Sequence, residues 1–185
     1  MEVPMTGTRE WKGDDRGRRV FAILGTAVFL VLAPGTVAVY VPWWISKWQI
    51  GAPFLGVAAF RGVGVLLICT GIPVLLESFA RFALQGAGTP APVFPPKHLV
   101  VKGFYRFVRN PMYVAVLWMI VGQALLLGNV ALLVYAAFAW LLVHVFVIGY
   151  EEPTLRRSFG DEYETYRAHV RRWIPRLSPW HEGAA

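Results

Sequence analysis

The sequence predicts an all-α, polytopic membrane protein of about four transmembrane helices followed by a C-terminal amphipathic helix. Three observations carry this. Of 185 residues, 56% are hydrophobic and 16% charged, against about a quarter charged in an ordinary soluble domain. Between Val20 and Ile148 the only acidic residue is Glu77, and long stretches have no charge at all, which no soluble core of this size needs. The basic excess of +7 gathers at the two ends and in one loop. That pattern suits anionic headgroups and topology control. It does not suit nucleic acid, whose binders keep a contiguous basic face, so membrane lipids are expected partners and nucleic acid is not.

Met1–Arg19 holds five basic and four acidic residues and reads as a cytoplasmic N-terminal segment. Residues 20–82 read as two transmembrane helices. Val20–Val41 is an uncharged run of 22 residues, enough to cross about 30 Å of hydrocarbon and too long for the apolar part of a cleaved signal peptide. Pro34-Gly35 predicts a kink in it. Pro42, Trp43, Trp44 and Trp48 read as an interfacial aromatic belt. The second span runs from about Gly56 to Phe82. Glu77 and Arg81, four residues apart near its end, share a helix face and are expected to pair. Gly62-Val63-Gly64 and the lone Cys69, both inside this span, read as packing residues.

Residues 83–176 form the next region. Gln85–Pro96 holds too many glycines and prolines for a helix or a central strand and is a loop. Lys97, Lys102, Arg106 and Arg109 follow with no intervening acid. Met112–Leu127 and Val130–Ile148 are two apolar segments joined by the turn-forming pair Gly128-Asn129, hence a helical hairpin whose first arm is short. From Pro153 the chain is polar. Leu155, Phe159, Tyr163, Tyr166 and Val170 recur on one helix face, opposite Arg156, Arg157, Asp161, Glu164 and Arg171. This amphipathic helix is expected at the membrane surface or capping the hairpin, with Trp173 and Trp180 at the interface. Residues 177–185 are a tail. An even number of crossings puts the three basic clusters together, on the cytoplasmic side.

The histidines lack ligand spacing, so no metal site is expected. His144, on an apolar helix, reads as an interhelical hydrogen-bonding residue. Asn110 is a favoured helix N-cap and Pro111 a favoured first residue, so a helix should start there, its free amides beside Arg109 making an anion site. Glu151-Glu152, directly after the apolar run, sit where a helix C-terminus near hydrocarbon is expected, a costly place for two carboxylates without a cationic partner. A short hairpin returns its ends to one side. The two glutamates should therefore meet Arg109, Asn110 and Tyr113.

With those residues in place the sequence resembles the isoprenylcysteine carboxyl methyltransferase and phospholipid methyltransferase superfamily. The likeness runs through Leu99-Val100 to Tyr105, Arg109-Asn110-Pro111-Met112-Tyr113, Glu151-Glu152, Phe159-Gly160 with Tyr163 and Tyr166, and Trp173-Ile174-Pro175. The resemblance implies an integral membrane methyltransferase with S-adenosyl-L-methionine held at the cytoplasmic face by Lys97, His98, Leu99, Val100, Tyr105, Arg109, Asn110, Pro111, Met112, Tyr113, Glu151 and Glu152. The implied acceptor is a lipophilic small molecule or lipidated substrate, and no residue is singled out as catalytic. Methyl transfer from a sulfonium depends chiefly on positioning and desolvation. Asn110 stands where the motif more usually has histidine. Val147 stands where the prenylcysteine enzymes have an arginine that helps hold the substrate. Two other readings are a nicotinamide-dependent reductase of the sterol or enone type, which resembles the same hairpin, and a non-catalytic lipid-binding membrane subunit.

Overall fold

The computed structural model describes residues 24–25, 27–85 and 99–181. The segment 1–19, the start of the expected first span, residues 86–98 of the loop, and residues 182–185 lie outside the described residues, and with them Lys97 and His98. Helix α1 covers Ala27–Ser46, α2 Ala59–Gln85, α3 Pro111–Leu127, α4 Val130–Phe146 and α5 Glu152–His169. Among the described residues there is no strand. Three apolar helices are long enough to cross a membrane and a fourth, α3, is shorter.

The short helix is the central post. Pro111, Val114, Ala115, Ile120, Gly122, Ala124 and Leu127 of α3 are buried, while α1, α2 and α4 display exposed large apolar side chains such as Val31, Leu66 and Val134, as lipid-facing helices do. Small residues bring α2 and α3 together. A Cβ on Gly64 would lie 2.6 Å from the Gly122 carbonyl oxygen, and one on Gly71 3.0 Å from that of Ala115. The order of these contacts makes the pair antiparallel, and the backbones touch closely enough to gain dispersion that lipid cannot replace. Gly64 is thus the packing residue its position suggested. Cys69 is exposed and faces outward, contrary to expectation, because that packing face is already occupied by the glycines.

The expected kink at Pro34-Gly35 falls slightly later. Residues Thr36–Tyr40 form a π-turn and the helix continues through Trp43 and Trp44 to Ser46, beyond the expected end at Val41. Pro42 explains the disturbance, since it has no N–H to give Ala38. Gln123 Nε2 supplies that hydrogen bond to the Ala38 carbonyl at 2.7 Å, and the Tyr135 hydroxyl donates to that of Val37 at 2.9 Å. The freed carbonyls thereby tie α1 to the hairpin.

Gly128 closes α3 in the left-handed conformation, φ 66°, and the Asn129 side chain accepts from the Leu132 amide at 3.3 Å to begin α4. The Gly51 amide donates to the Leu127 carbonyl at 2.9 Å and Arg61 Nη2 to the Gly51 carbonyl at 2.7 Å. The end of α1, the start of α2 and the hairpin turn therefore share one end of the bundle.

The other end differs from expectation in one respect. α4 does not stop at Ile148. A second π-turn, Val147–Glu151, carries it into α5, so that Val130–His169 is one helical run of 40 residues. The turn again ends two residues before a proline, Pro153, whose missing N–H and ring bulk widen the preceding helix. α5 itself is broken at Gly160 (φ 47°, ψ −123°). Its apolar face is as the periodicity indicated: Tyr163, Tyr166 and Val170 are buried with Trp180, and Leu99, Val101, Leu155 and Phe159 pack around them. Trp180 is accordingly a core residue, stacked beside His169, and not an interfacial anchor.

These placements fix a testable sidedness. With Cys69 changed to Ser, a cysteine at Lys47 and one at His181 should react with a membrane-impermeant maleimide from opposite faces of sealed vesicles. Labelling of both from the same face would overturn the four-helix crossing.

Candidate active site

The site lies where the start of α3 meets the second π-turn. Asn110 is the N-cap residue and Pro111 the first residue of α3, as expected, but the Asn110 side chain makes no capping bond. Its Nδ2 donates instead to the Arg172 carbonyl at 3.2 Å. The Val114 amide bonds to the Asn110 carbonyl at 3.1 Å, so the amides of Met112 and Tyr113 in the first turn have no intrahelical acceptor.

The C-terminal segment is laced onto the residues before α3. The Arg109 amide donates to the Arg171 carbonyl, the Arg176 amide to that of Phe107 and the Trp180 amide to that of Arg106, each at 2.9 Å. This ladder sets Arg172 beside Arg109, and Glu152 lies between them. Arg109 Nη1 donates to Glu152 Oε1 at 3.0 Å and to the Tyr163 hydroxyl at 3.2 Å. Arg172 grips the same carboxylate with both arms, Nε to Oε1 at 2.6 Å and Nη2 to Oε2 at 2.9 Å. The hydrogen bond to Glu152 raises the Arg172 pKa further above its ordinary value. Glu152 is buried, with 4% of its surface exposed, and receives three N–H donors from the two guanidiniums.

Glu151 is differently placed. Consecutive helical residues point about 100° apart, and Glu151 turns to α3, where its Oε2 accepts from the Tyr113 hydroxyl at 3.1 Å. Among the described residues that is its hydrogen-bond partner. The expected meeting of the glutamates with Arg109 and Tyr113 is therefore present, with a division: Arg109 pairs with Glu152 and Tyr113 with Glu151. The expected reason for it is corrected. Neither glutamate ends a helix, because the π-turn continues into α5, so the macrodipole does not oppose them. Arg109 is also no free cation at an anion site, since Glu152 holds it.

Tyr105 is buried in the turn Gly103–Arg106, its carbonyl accepting from the Tyr166 hydroxyl at 2.7 Å, and burial pushes its phenol pKa well up. Leu99 packs in the Tyr163–Trp180 cluster and Val100 is buried; Met112 packs with Leu75, Phe79 and Ala115. Glu77 pairs with Arg81 at 2.7 Å, as expected, and its other oxygen receives the Phe104 amide at 3.5 Å. Sequence reasoning missed Arg172. A buried glutamate pair demands cations, which was a usable signal, but the partner arrives only because α5 is broken at Gly160 and turns the chain back toward Glu152. A cavity of about 810 Å³ opens between α1 and α2 beside Leu30, Tyr40, Trp43 and Leu76 and is lined by none of these residues; polar chemistry, and not volume, locates the site.

Fold and site together define a polytopic helical membrane protein with a charged and aromatic cluster at one end of its bundle. The chain belongs to the phospholipid methyltransferase family, whose profile matches residues 60–162. A protein-S-isoprenylcysteine O-methyltransferase of Schizosaccharomyces pombe is 38% identical over 78 residues, 42% of this chain and 33% of that protein. A methanethiol S-methyltransferase of Crocosphaera subtropica is 34% identical over 82 residues, 44% of this chain and 31% of that protein. An uncharacterized protein of Haemophilus influenzae is 37% identical over 70 residues, 34% of this chain and all of that protein. The chain thus spans about a third of the length of the two named methyltransferases. The reductase reading finds no support among these relatives.

Glu152→Gln should lower stability strongly. Breaking one partner of a buried ion pair costs about 3–5 kcal/mol, and the lower part of that range applies because Arg172 keeps 27% of its side chain exposed. A fall of several degrees in the melting temperature of the detergent-solubilised protein is expected for Glu152→Gln and little change for Glu151→Gln. Equal melting temperatures for the two variants would remove the division of labour.

Proposed function

We propose that the chain transfers a methyl group from S-adenosyl-L-methionine to a lipophilic acceptor, in a site on the cytoplasmic face. The observation that carries this is Glu151: a carboxylate held toward the start of α3 with, among the described residues, only the Tyr113 hydroxyl engaging it, next to a glutamate whose charge is already matched. The residues fit the cofactor's chemistry. Its ammonium and ribose hydroxyls are donors for a carboxylate, and its own carboxylate suits the unpaired amides of Met112 and Tyr113 at a helix N-terminus. When bound, the cofactor supplies an electrophilic methyl on sulfonium. Everything else falls to the chain: Tyr113 orients Glu151, the Arg109–Glu152–Arg172 cluster fixes the helix start against the π-turn, and the surrounding aromatic rings exclude water. Leu99, Val100 and Tyr105 complete the reading as the wall preceding α3; Lys97 and His98, which the same reading includes, lie outside the described residues. The cytoplasmic orientation rests on the basic residues at this end, Lys102, Arg106, Arg109, Arg171, Arg172 and Arg176, against Lys47 and Arg61 at the other.

The two named relatives are described as an O-methyltransferase and an S-methyltransferase, and the acceptor of this chain is a separate question. Val147 is buried and apolar, 1% exposed, and offers no cation to a prenylcysteine carboxylate.

Cofactor and acceptor can be tested separately. Glu151→Gln keeps an acceptor for Tyr113 and removes the charge, so calorimetric titration with S-adenosyl-L-methionine should show binding weakened by about one to two decades, the equivalent of one charge-assisted hydrogen bond; wild-type affinity would take Glu151 out of the site. A simple prenylcysteine analogue should be methylated weakly or not at all, and efficient turnover at micromolar concentration would refute that.

A further inference from the structure

The cavity of about 810 Å³ between α1 and α2 takes no part in the site described above, and its walls are apolar. Its shape follows from how α1 is held. Gln123 and Tyr135 tie the π-turn of α1 to α3 and α4, whereas α1 meets α2 toward the site end, where Phe29 stacks on Phe79 at 6.2 Å and 24°. Farther along, α2 stands off. A Cβ on Gly35, which lines the groove, would meet only the Leu30 carbonyl of its own helix, at 3.7 Å. The α1 wall from Leu30 to Trp43 is about 20 Å long at the rise of a helix, against roughly 15 Å of hydrocarbon in one leaflet. Leu75 is buried behind the groove, while Val31, Ile72 and Leu76 are exposed along it. An apolar trough of this length, open to the bilayer, fits a hydrocarbon chain.

The mouth of the groove decides what kind of molecule that chain belongs to. Farthest from the site stand Tyr40, Trp43 and Trp48, amphipathic rings suited to the depth of headgroups and esters. Lys47 Nζ lies 4.3 Å over the Trp43 ring, a contact with the ring face that leaves its N–H groups able to donate. Arg61 is about three turns from Ile72 and shares its helix face, which puts it at the same mouth. Its Nη2 donates to the Gly51 carbonyl at 2.7 Å, and its Nε has no partner among the described residues. The only acid between Val20 and Ile148 is Glu77, which pairs with Arg81 near the other end of α2. Among the described residues this mouth therefore carries two cations and no carboxylate.

We propose that the groove binds one anionic phospholipid from the leaflet opposite the candidate active site, with an acyl chain between α1 and α2 and the phosphate held by Lys47 and Arg61. A zwitterionic headgroup brings a cation of its own beside the phosphate, which these two side chains repel. A second copy of this chain, docked parallel on the same face, would set its own Lys47 and Arg61 against them. A headgroup of net negative charge matches. The lipid fills the space where α1 is not packed on α2 and joins the end of one helix to the start of the next. It is a component of the fold on the side away from Glu151, and it stands whether or not the chain uses S-adenosyl-L-methionine.

The full-length protein, delipidated in detergent, is titrated with dioleoyl phosphatidylglycerol, dioleoyl phosphatidylcholine and glycerol 3-phosphate, with lipid bound per chain read by native mass spectrometry and stability by melting temperature. Wild type should hold one phosphatidylglycerol, preferred about tenfold or more over phosphatidylcholine, and glycerol 3-phosphate should not stabilise it. Gly35 is helical, φ −62° and ψ −41°, so Gly35→Leu fills the groove without strain. It should weaken binding of both lipids by about tenfold or more, while the melting temperature without lipid stays at or above that of wild type. Lys47 is left-handed, φ 49°, a conformation asparagine tolerates, and Arg61→Gln keeps an N–H for Gly51. The double variant Lys47→Asn, Arg61→Gln should bind both lipids alike, with the phosphatidylcholine affinity of wild type. Equal affinity of wild type for the two lipids, undiminished binding in Gly35→Leu, or glycerol 3-phosphate as effective as the lipid overturns the proposal; so does a chain dimer in lipid-free detergent that Gly35→Leu abolishes. Should Gly35→Leu melt lower without lipid, the double variant decides: a preference for phosphatidylglycerol that survives in it overturns the site, and its loss upholds it.

Discussion

The buried carboxylate of Glu152, shared between Arg109 and Arg172, is the constraint on which the site depends. It joins three stretches far apart in sequence: the residues preceding α3, the π-turn at the end of α4 and the extended segment after α5. A carboxylate at that depth is tolerable only when its charge and lone pairs are matched, and here three N–H groups from two guanidiniums meet it. Fixing Glu152 fixes Glu151 as well. The neighbouring side chain must point about 100° away, and the direction left to it is toward Tyr113. One glutamate is matched by guanidiniums, and the other is left to Tyr113.

The helices reach this geometry through paired irregularities. Each π-turn, Thr36–Tyr40 and Val147–Glu151, ends two residues before a proline. In both cases the proline withdraws an N–H and crowds the preceding turn, and the helix answers by taking in an extra residue. At α1 the freed carbonyls are used as docking points by Gln123 and Tyr135. At α4 the extra residue rotates the helix beyond it, which brings both glutamates to the inner side of a helix that otherwise faces lipid. Irregular backbone at membrane depth persists where protein groups satisfy it.

The C-terminal segment has more influence than its length suggests. Its backbone bonds to residues 106–109, and its side chains deliver Arg172 to Glu152, Trp173 to His144 and Trp180 to the core of α5. The family profile ends at residue 162, before these residues, so the part of the chain that clamps the site lies beyond the part that identifies it.

The membrane character, the four apolar helices, the Gly128-Asn129 turn, the Glu77–Arg81 pair and the buried face of α5 were all legible in the sequence, because each depends on composition or on spacing within one helix. The meeting of Glu151 and Glu152 with Tyr113 and Arg109 was legible too, since a two-residue turn forces the hairpin ends together. What only tertiary structure decided were matters of phase and of chain reversal. The outward aim of Cys69, the extension of α1 to Ser46 and the running of α4 into α5 depend on which neighbour satisfies a freed carbonyl or fills a groove. The partition of the two glutamates depends on the extra residue of a π-turn, and the arrival of Arg172 on the break of α5 at Gly160. None of these leaves a local periodicity, because the free energy that selects them comes from contacts between residues tens of positions apart.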